Sequence, residues 1–416
     1  YMRYLRPGHI GEASFVGVVM VIAAVVGGAW IQHSSWAPFF TLSRLQLDII
    51  LPLYGFVAAA LPVWLLLAPR DYLSTYMKIG TIGALALGII IVQPQIHMPA
   101  VTSFISGGGP VVPGPVWPFV CITVACGAIS GFHSVIATGT TPKMLTNESE
   151  VLPIGFGAML AESFISVMAL IAATSLIPAD YFAINSVPEA FAKLGMNVQE
   201  LPMLSQMVGE NVAGRPGGAV SLAVGMAHIF SQIPGLGEFM SFLYHFAIMF
   251  EALFILTIID AGTRVGRYLL QEVGGMIYKP LGDANWTPGV VFTSALISFA
   301  WGYLIFGGSI ASIWPLFGLS NQLLASMALA IGTTMLLRMG KAKYAWVTLA
   351  PLCFMLVTAV TAGFYNIFEF YLPKGQLLLA GASVVMMFLI VFVIVDSVKV
   401  WRSILKEGQK NLKQAM

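Results

Sequence analysis

The residues best suited to do chemistry lie inside long apolar stretches, and the largest group is at residues 126–143. Gly127 and Gly131 interrupt a helical run there, His133 follows, and a Gly/Thr/Pro turn that does not favour helix comes next. A broken helix of this kind leaves backbone N–H groups and carbonyls free to bind carboxylates or cations. An ordinary Gly-kinked helix that ends in a lysine is the plain alternative. The pattern predicts a substrate site or gate formed by Ser130, Gly131, His133, Thr140, Thr141 and Lys143.

A second helix interruption is predicted further along the chain. Pro315 and Gly318 are expected to end one helix, and Ser320 is a good N-cap for the next. The first turn of that next helix would hold Asn321 and Gln322, near a positive helix end that suits an anionic group. A capped surface loop is the alternative. On the first interpretation, Asn321 and Gln322 join the predicted substrate or gate residues.

Ionisable side chains within apolar stretches are costly in a bilayer and by default indicate function. Glu162 lies deep in one stretch, where burial would favour the protonated carboxyl. His245 and Glu251 share another stretch but lie about 240° apart around a helix, so they do not share a face. Asp260 ends that stretch and is predicted to pair with Arg264 one turn later. Packing alone is the alternative role, and the residues predicted to couple a proton are Glu162, Glu251, His245 and Asp260.

Two weaker candidates lie elsewhere in the chain. Asp71 and Lys78 are seven residues apart, hence on one helix face, and are predicted to form a gate or a boundary ion pair. His228 lies in a short apolar stretch, where a satisfied, buried histidine is the favoured interpretation.

The elements that must position these residues are membrane helices. Of the 416 residues, 58% are hydrophobic and 9% are charged, whereas soluble domains carry roughly 25% charged residues. The net charge of +2 argues against a nucleic-acid partner, and the three cysteines lack metal or disulfide spacing, so no metal or cofactor is predicted. A spanning helix needs about 20 apolar residues. The stretches that qualify are residues 14–31, 47–68, 76–92, 116–137, 151–177, 239–259, 288–306, 320–337, 344–365 and 376–395.

An eleventh stretch, residues 217–233, is shorter, and the charges indicate how it lies. If it does not span and the chain starts in the cytoplasm, the Lys and Arg residues outside are only Arg44, Lys193, Arg215 and Lys374. If it spans, the basic C-terminal segment moves outside, which the positive-inside rule disfavours. The prediction is an all-α polytopic membrane protein with about ten transmembrane helices, one re-entrant or short buried helix, and a cytoplasmic C-terminus.

We expect one transmembrane domain over residues 1–416. The sequence starts at Tyr1 in the middle of a predicted loop, so the N-terminal part of the domain is expected to be missing. Residues 178–216 are predicted to form an outside loop or cap, and residues 261–280 an amphipathic helix on the cytoplasmic face. Residues 399–416 are predicted to form a basic cytoplasmic tail.

Four runs of sequence resemble the carbon starvation protein family, in the order found in that family. They are residues 61–75, 130–143, 250–264 and 314–322, and the resemblance extends over nearly the whole chain. The resemblance implies import of pyruvate by proton symport, or of short peptides, across the bacterial cytoplasmic (inner) membrane during carbon starvation. It also implies the inverted-repeat fold of amino acid–polyamine–organocation transporters, here without the N-terminal helices that family members carry.

The predicted function is therefore a secondary transporter rather than an enzyme. The chain has no His-Glu-x-x-His zinc pair, no Gly-x-Ser-x-Gly elbow and no P-loop. A membrane sensor or structural module without transport stays an alternative. Sodium-coupled uptake of another nutrient is a second alternative, because the hydroxyls and carbonyls of residues 138–141 could bind sodium. The expected partners are a small carboxylate substrate, a coupling proton and the lipid bilayer.

Overall fold

The computed structural model describes residues 9–32, 34–112, 114–139, 141–307 and 310–415, and these residues form helices and connecting turns without strands. The all-α prediction is confirmed. The helices are α1 (Ile10–Gln32), α2 (Ala37–Phe40), α3 (Arg44–Ala60), α4 (Leu67–Val92), α5 (Cys121–Ala128), α6 (Gly131–Gly139), α7 (Val151–Thr174), α8 (Pro178–Asn185), α9 (Pro188–Ala192), α10 (Leu201–Val208), α11 (Ala219–Ser231), α12 (Met240–Ile277), α13 (Thr287–Gly307), α14 (Ile310–Arg338), α15 (Trp346–Tyr365) and α16 (Leu377–Ala415).

Within the described residues, 9 segments are long and apolar enough to cross a membrane. They are formed by α1, α4, α5 together with α6, α7, α12, α13, α14, α15 and α16. This number confirms a polytopic membrane protein with about the expected number of spans.

Residues 47–68 are the predicted span that is not among these 9 segments. Helix α3 ends at Ala60, and its C-cap, Leu61, has an extended backbone with ψ of 151°. Pro62 explains this end, because a proline pushes the preceding residue out of the helical region. The chain turns and re-enters a helix at Leu67, so Arg70 lies in the first turn of α4.

The interruption predicted between Pro315 and Ser320 is wrong, because α14 is continuous from Ile310 to Arg338. A Cβ at Gly318 would lie 3.0 Å from the backbone oxygen of Ile122, so this glycine lets α5 approach α14 closely. Asn321 and Gln322 consequently lie inside a helix and not at a helix N-terminus.

Two segments that were predicted to lie outside the spans continue long helices. The amphipathic helix expected at residues 261–280 is largely the C-terminal part of α12, and it buries Arg264 and Arg267. The tail expected at residues 399–416 continues α16 as far as Ala415.

The chain divides into two compact units. Unit 1 comprises residues 1–100 and 152–307, and unit 2 comprises residues 101–151 and 308–416. The core of unit 1 surrounds α11, whose residues Ala223, Val224 and Ala227 are fully buried. With 13 residues, α11 is about 20 Å long, shorter than the roughly 30 Å of a bilayer core. The predicted short buried helix is therefore confirmed.

Candidate functional site

Unit 1 contains a cluster of charged side chains on three of its helices. Helix α4 places Arg70, α12 places Asp260 and α3 places Tyr54. Nη1 of Arg70 lies 2.7 Å from Oδ2 of Asp260, and the Tyr54 hydroxyl donates to the same oxygen at 3.1 Å. Nη1 of Arg70 also donates to the Tyr54 hydroxyl. Three helices are thus joined by one ion pair, whose aspartate is fully buried, and by its tyrosine.

Thr257 extends this cluster along the same face of α12, one turn before Asp260. Its hydroxyl donates to Oδ1 of Asp71 at 3.0 Å and accepts from Nη2 of Arg70 at 3.2 Å. It also accepts from Nζ of Lys78 at 3.3 Å. Asp71 and Lys78, predicted to form a gate or an ion pair, therefore meet through Thr257.

The predicted pair of Asp260 with Arg264 is replaced by the pair of Asp260 with Arg70. Arg264 instead donates from Nη2 to the backbone oxygen of Ala58, near the end of α3. Asp260 has no exposed surface and Arg264 is 1% exposed, so both charges are inside the protein. The i, i+4 spacing favoured Arg264 as the partner of Asp260. Arg70 reaches Asp260 from α4 instead, with its Nη1 2.7 Å from Oδ2.

The cluster carries more positive than negative charge. Arg70, Lys78 and Arg264 supply three cations, and Asp71 and Asp260 supply two carboxylates. Burial of unbalanced charge is costly, so a further anion would be favoured here. In chemical terms the arrangement can bind a carboxylate and can take up a proton on an aspartate.

Unit 2 contains the broken helix that the sequence predicts. Helix α5 ends at Ala128 and α6 begins at Gly131, so the chain leaves the helical conformation at residues 129–130. Ser130 Oγ accepts from the His133 N–H at 3.2 Å, and Asn321 Oδ1 accepts from the Phe132 N–H at 2.9 Å. Protein oxygens therefore already bind two of the N–H groups that were expected to be free.

Gly131 is a contact between helices and does not open a space. A Cβ at this position would lie 2.1 Å from the backbone oxygen of Asn321 and 2.5 Å from the backbone N of Ala325. The absence of a side chain allows the first turn of α6 to rest on the backbone of α14.

Amide side chains in unit 2 are buried without complete hydrogen bonding. Among the described residues, Nδ2 of Asn321 and both polar atoms of Gln322 and Asn366 have no partner. Gln322 and Asn366 have no exposed surface. Unpaired buried amides cost free energy, and each needs an explanation. They are able to bind a neutral polar group.

The remaining predicted residues lie apart from both groups. His133 is exposed, Glu162 is exposed on α7, and Thr141 is half-buried. Glu251 is half-buried on α12, about 180° around the helix from Asp260. His245 places Nδ1 2.7 Å from the backbone oxygen of Ser241. Thr140 and the side chain of Lys143 lie outside the described residues.

Sequence reasoning missed Tyr54 and Thr257, and it missed Arg70 as the partner of Asp260. Tyr54 and Asp260 are 206 residues apart, so no local spacing connects them. For Tyr54 and Thr257, the only signal in the sequence was a hydroxyl side chain within an apolar run.

His228 lies outside the nine candidate spans, on α11. Burial lowers the pKa of His228, the charge of Glu200 raises it, and the charge of His97 lowers it. The favoured state of this histidine inside unit 1 is therefore the neutral one. Within the described residues, no group of three or more His, Cys, Asp or Glu side chains could hold a metal ion.

Comparison with known proteins gives a consistent result. The model of the carbon starvation protein CstA family matches residues 1–362. The peptide transporter CstA of Bacillus subtilis strain 168 is 52% identical over 97% of this chain and 68% of its own length. In Escherichia coli strain K12, the peptide transporter CstA is 45% identical over 92% of the chain and 58% of its own length. The pyruvate/proton symporter BtsT of the same strain is 42% identical, over 87% of the chain and 56% of its own length.

The chain thus spans between 56% and 68% of the length of these three relatives. No solved structure matches the chain significantly.

Proposed function

Because the chain belongs to the carbon starvation protein CstA family, we propose that it is a secondary transporter that imports a small carboxylate-bearing nutrient together with a proton. Relatives are named for peptides or for pyruvate, and both kinds of molecule carry a carboxylate at neutral pH. The cluster of unit 1 suits such a substrate, because it contains an excess of cationic groups.

The observation that carries the proposal is the ion pair of Arg70 with Asp260. A buried ion pair is weak as a stabilising device, since apolar side chains of similar volume often do as well or better. Ionisable groups in membrane helices more often move ions or protons. Asp260 is the one predicted coupling residue that lies in the cluster, and we assign the coupling proton to it.

The residues at the helix break of unit 2 complete the proposal. We place the substrate path or its gate at Ser130, Thr141, Asn321 and Gln322, with His133 on the exposed side of α6. The buried, unpaired amides support this placement, because a polar substrate group would satisfy them. Glu162, Glu251 and His245 are secondary candidates for proton transfer.

The proposed location is the bacterial inner membrane, with the C-terminus in the cytoplasm, and the proposed setting is carbon starvation. The proposal is for a transporter and includes no chemical conversion of the substrate.

The test is uptake of radiolabelled pyruvate and of a labelled dipeptide by proteoliposomes that contain the full-length protein. Three conditions are compared: an inward proton gradient, an inward sodium gradient and no gradient. We expect the proton gradient alone to drive accumulation, and a protonophore to abolish it. Accumulation driven only by sodium would contradict proton coupling. Absence of uptake of either substrate would contradict import of these substrates and favour a sensor or structural role.

A further inference from the structure

We propose that Arg70 binds the carboxylate of the substrate, and that it exchanges Asp260 for this carboxylate when Asp260 takes up a proton. The inference rests on the proposed function and names the group that links the substrate to the proton. A substrate carboxylate has the charge and the two-oxygen geometry of Asp260, so it fits the same guanidinium.

Each partner of the ion pair retains one buried atom that has no hydrogen-bond partner among the described residues. These atoms are Oδ1 of Asp260 and Nε of Arg70. Oδ1 can accept a proton without breaking an existing hydrogen bond. Nε adds a donor to the guanidinium, beyond those that Asp260, Tyr54, Asp71 and Thr257 occupy.

The charges around Asp260 make the two events depend on each other. The ionisable groups that face it are Tyr54 of α3, Arg70 and Asp71 of α4, and Arg264 of α12 itself. Helix α13 also packs against α12, and its one ionisable side chain, Tyr303, is exposed.

A proton alone would increase the excess positive charge of the cluster, and a carboxylate alone would have to displace Asp260 from Arg70. When both bind, the net charge of the cluster is unchanged. Each ligand therefore favours binding of the other, and this reciprocal coupling is what symport requires.

The exchange involves one proton and no covalent change in the substrate. The proton binds Oδ1 of Asp260 and forms an O–H bond, which neutralises the carboxylate. The ion-pair contact of Nη1 of Arg70 with Oδ2 of Asp260 is then replaced by a contact of Nη1 with a substrate oxygen. Asp71 keeps its contact with Nη2 of Arg70, which lies 3.1 Å from its Oδ1.

The first test is equilibrium binding of radiolabelled pyruvate and of a labelled dipeptide to the purified full-length protein between about pH 5 and pH 8. For the wild type, we expect affinity to fall as the pH rises. Asp260→Asn makes the side chain neutral at every pH. The affinity of this variant for the probes should therefore stay near the affinity that the wild type has at acid pH. Asp396→Asn removes an exposed carboxyl on α16 and should keep the wild-type profile. A wild-type profile in Asp260→Asn would overturn the exchange.

The second test uses Arg70→Lys, which keeps the charge opposite Asp260 but loses the planar fork. We expect the affinity for either probe to fall by about tenfold or more. Unchanged affinity would overturn the assignment of Arg70, and this variant decides the question if Asp260→Asn does not give a monodisperse protein. A wild type that binds and transports neither probe would contradict the proposed function itself. A transporting wild type with pH-independent binding would contradict only the exchange.

Discussion

The charged cluster of unit 1 and the helix break of unit 2 place polar groups within apolar helices in two different ways. Unit 1 pairs the half-buried Arg70 with the fully buried Asp260. Unit 2 uses uncharged groups: the Ser130 and Asn321 side chains bind N–H groups of the first turn of α6. A pair of opposite charges can respond to a proton, whereas capped amides cannot at physiological pH. On the proposed function, proton coupling therefore belongs to unit 1, and unit 2 contributes shape and neutral polar contacts.

The largest expected effect comes from removal of one charge in unit 1. Asp260→Ala leaves the half-buried Arg70 with only the Asp71 carboxylate beside it, and we expect a loss of about 3 kcal/mol in the free energy of unfolding. Thermal unfolding in detergent measures this loss as a fall in apparent Tm. Asp396→Ala, on the exposed face of α16, is the matched control and should change little. The double variant Asp260→Leu with Arg70→Met removes both charges and should recover much of the lost stability. A double variant as unstable as Asp260→Ala would show that the two charges are not coupled.

A smaller effect is expected at the helix contact of unit 2. Gly131→Ala forces a methyl group against the backbone of α14, and we expect a cost of about 1–3 kcal/mol. Gly127→Ala is the control, because a Cβ there meets no atom within 4 Å. The same detergent unfolding assay compares the two variants. Equal stability of the two would mean that α6 does not rest on α14 as the structure shows.

Loss of the cap on α6 should cost less again. Ser130→Ala removes the oxygen that accepts from the His133 N–H, and N-cap losses of this kind cost about 1 kcal/mol. Ser163→Ala on the exposed face of α7 serves as the control, since its hydroxyl bonds only a backbone oxygen of its own helix. A larger loss in Ser163→Ala than in Ser130→Ala would contradict the capping role.

The smallest expected effect is a pH dependence in unit 1 that does not involve the cluster. Burial lowers the pKa of His228 in the folded state, so below the ordinary value of about 6.5 the unfolded chain binds more protons than the folded one. Stability should therefore decrease as the pH falls through about 6.5 and should be unaffected by this group at higher pH. His228→Gln should reduce the decrease, measured as apparent Tm from about pH 5 to pH 8. A steeper decrease in the variant would reverse the sign that burial predicts.

The sequence predicts the unit 2 break and not the unit 1 pairing for a physical reason. Gly127 and Gly131 act locally, and helix propensity is a property of neighbouring residues, so the break between α5 and α6 was predictable. The partner of Asp260 was not, because Arg70 reaches it from another helix and the local i, i+4 rule favours Arg264.

Proline gave opposite outcomes at two positions, which shows the limit of local rules. Pro62 follows the end of α3, as the restriction on the preceding residue predicts. Pro315 lies within α14, where the neighbouring Gly318 packs against α5 and the helix continues. Packing between helices decides such cases, and one sequence does not reveal it.

The most direct test of the central claim is a simultaneous measurement of proton and pyruvate flux in proteoliposomes of the full-length protein. A trapped pH indicator reports protons, and radiolabelled pyruvate reports substrate. For the wild type, we expect added pyruvate to carry protons inward even without an imposed gradient. For Asp260→Asn, we expect pyruvate to exchange across the membrane without proton flux, while the control Asp396→Asn, on the exposed face of α16, should keep the flux. Proton flux in Asp260→Asn equal to that of the wild type would contradict the claim that the cluster of unit 1 couples the proton to the substrate.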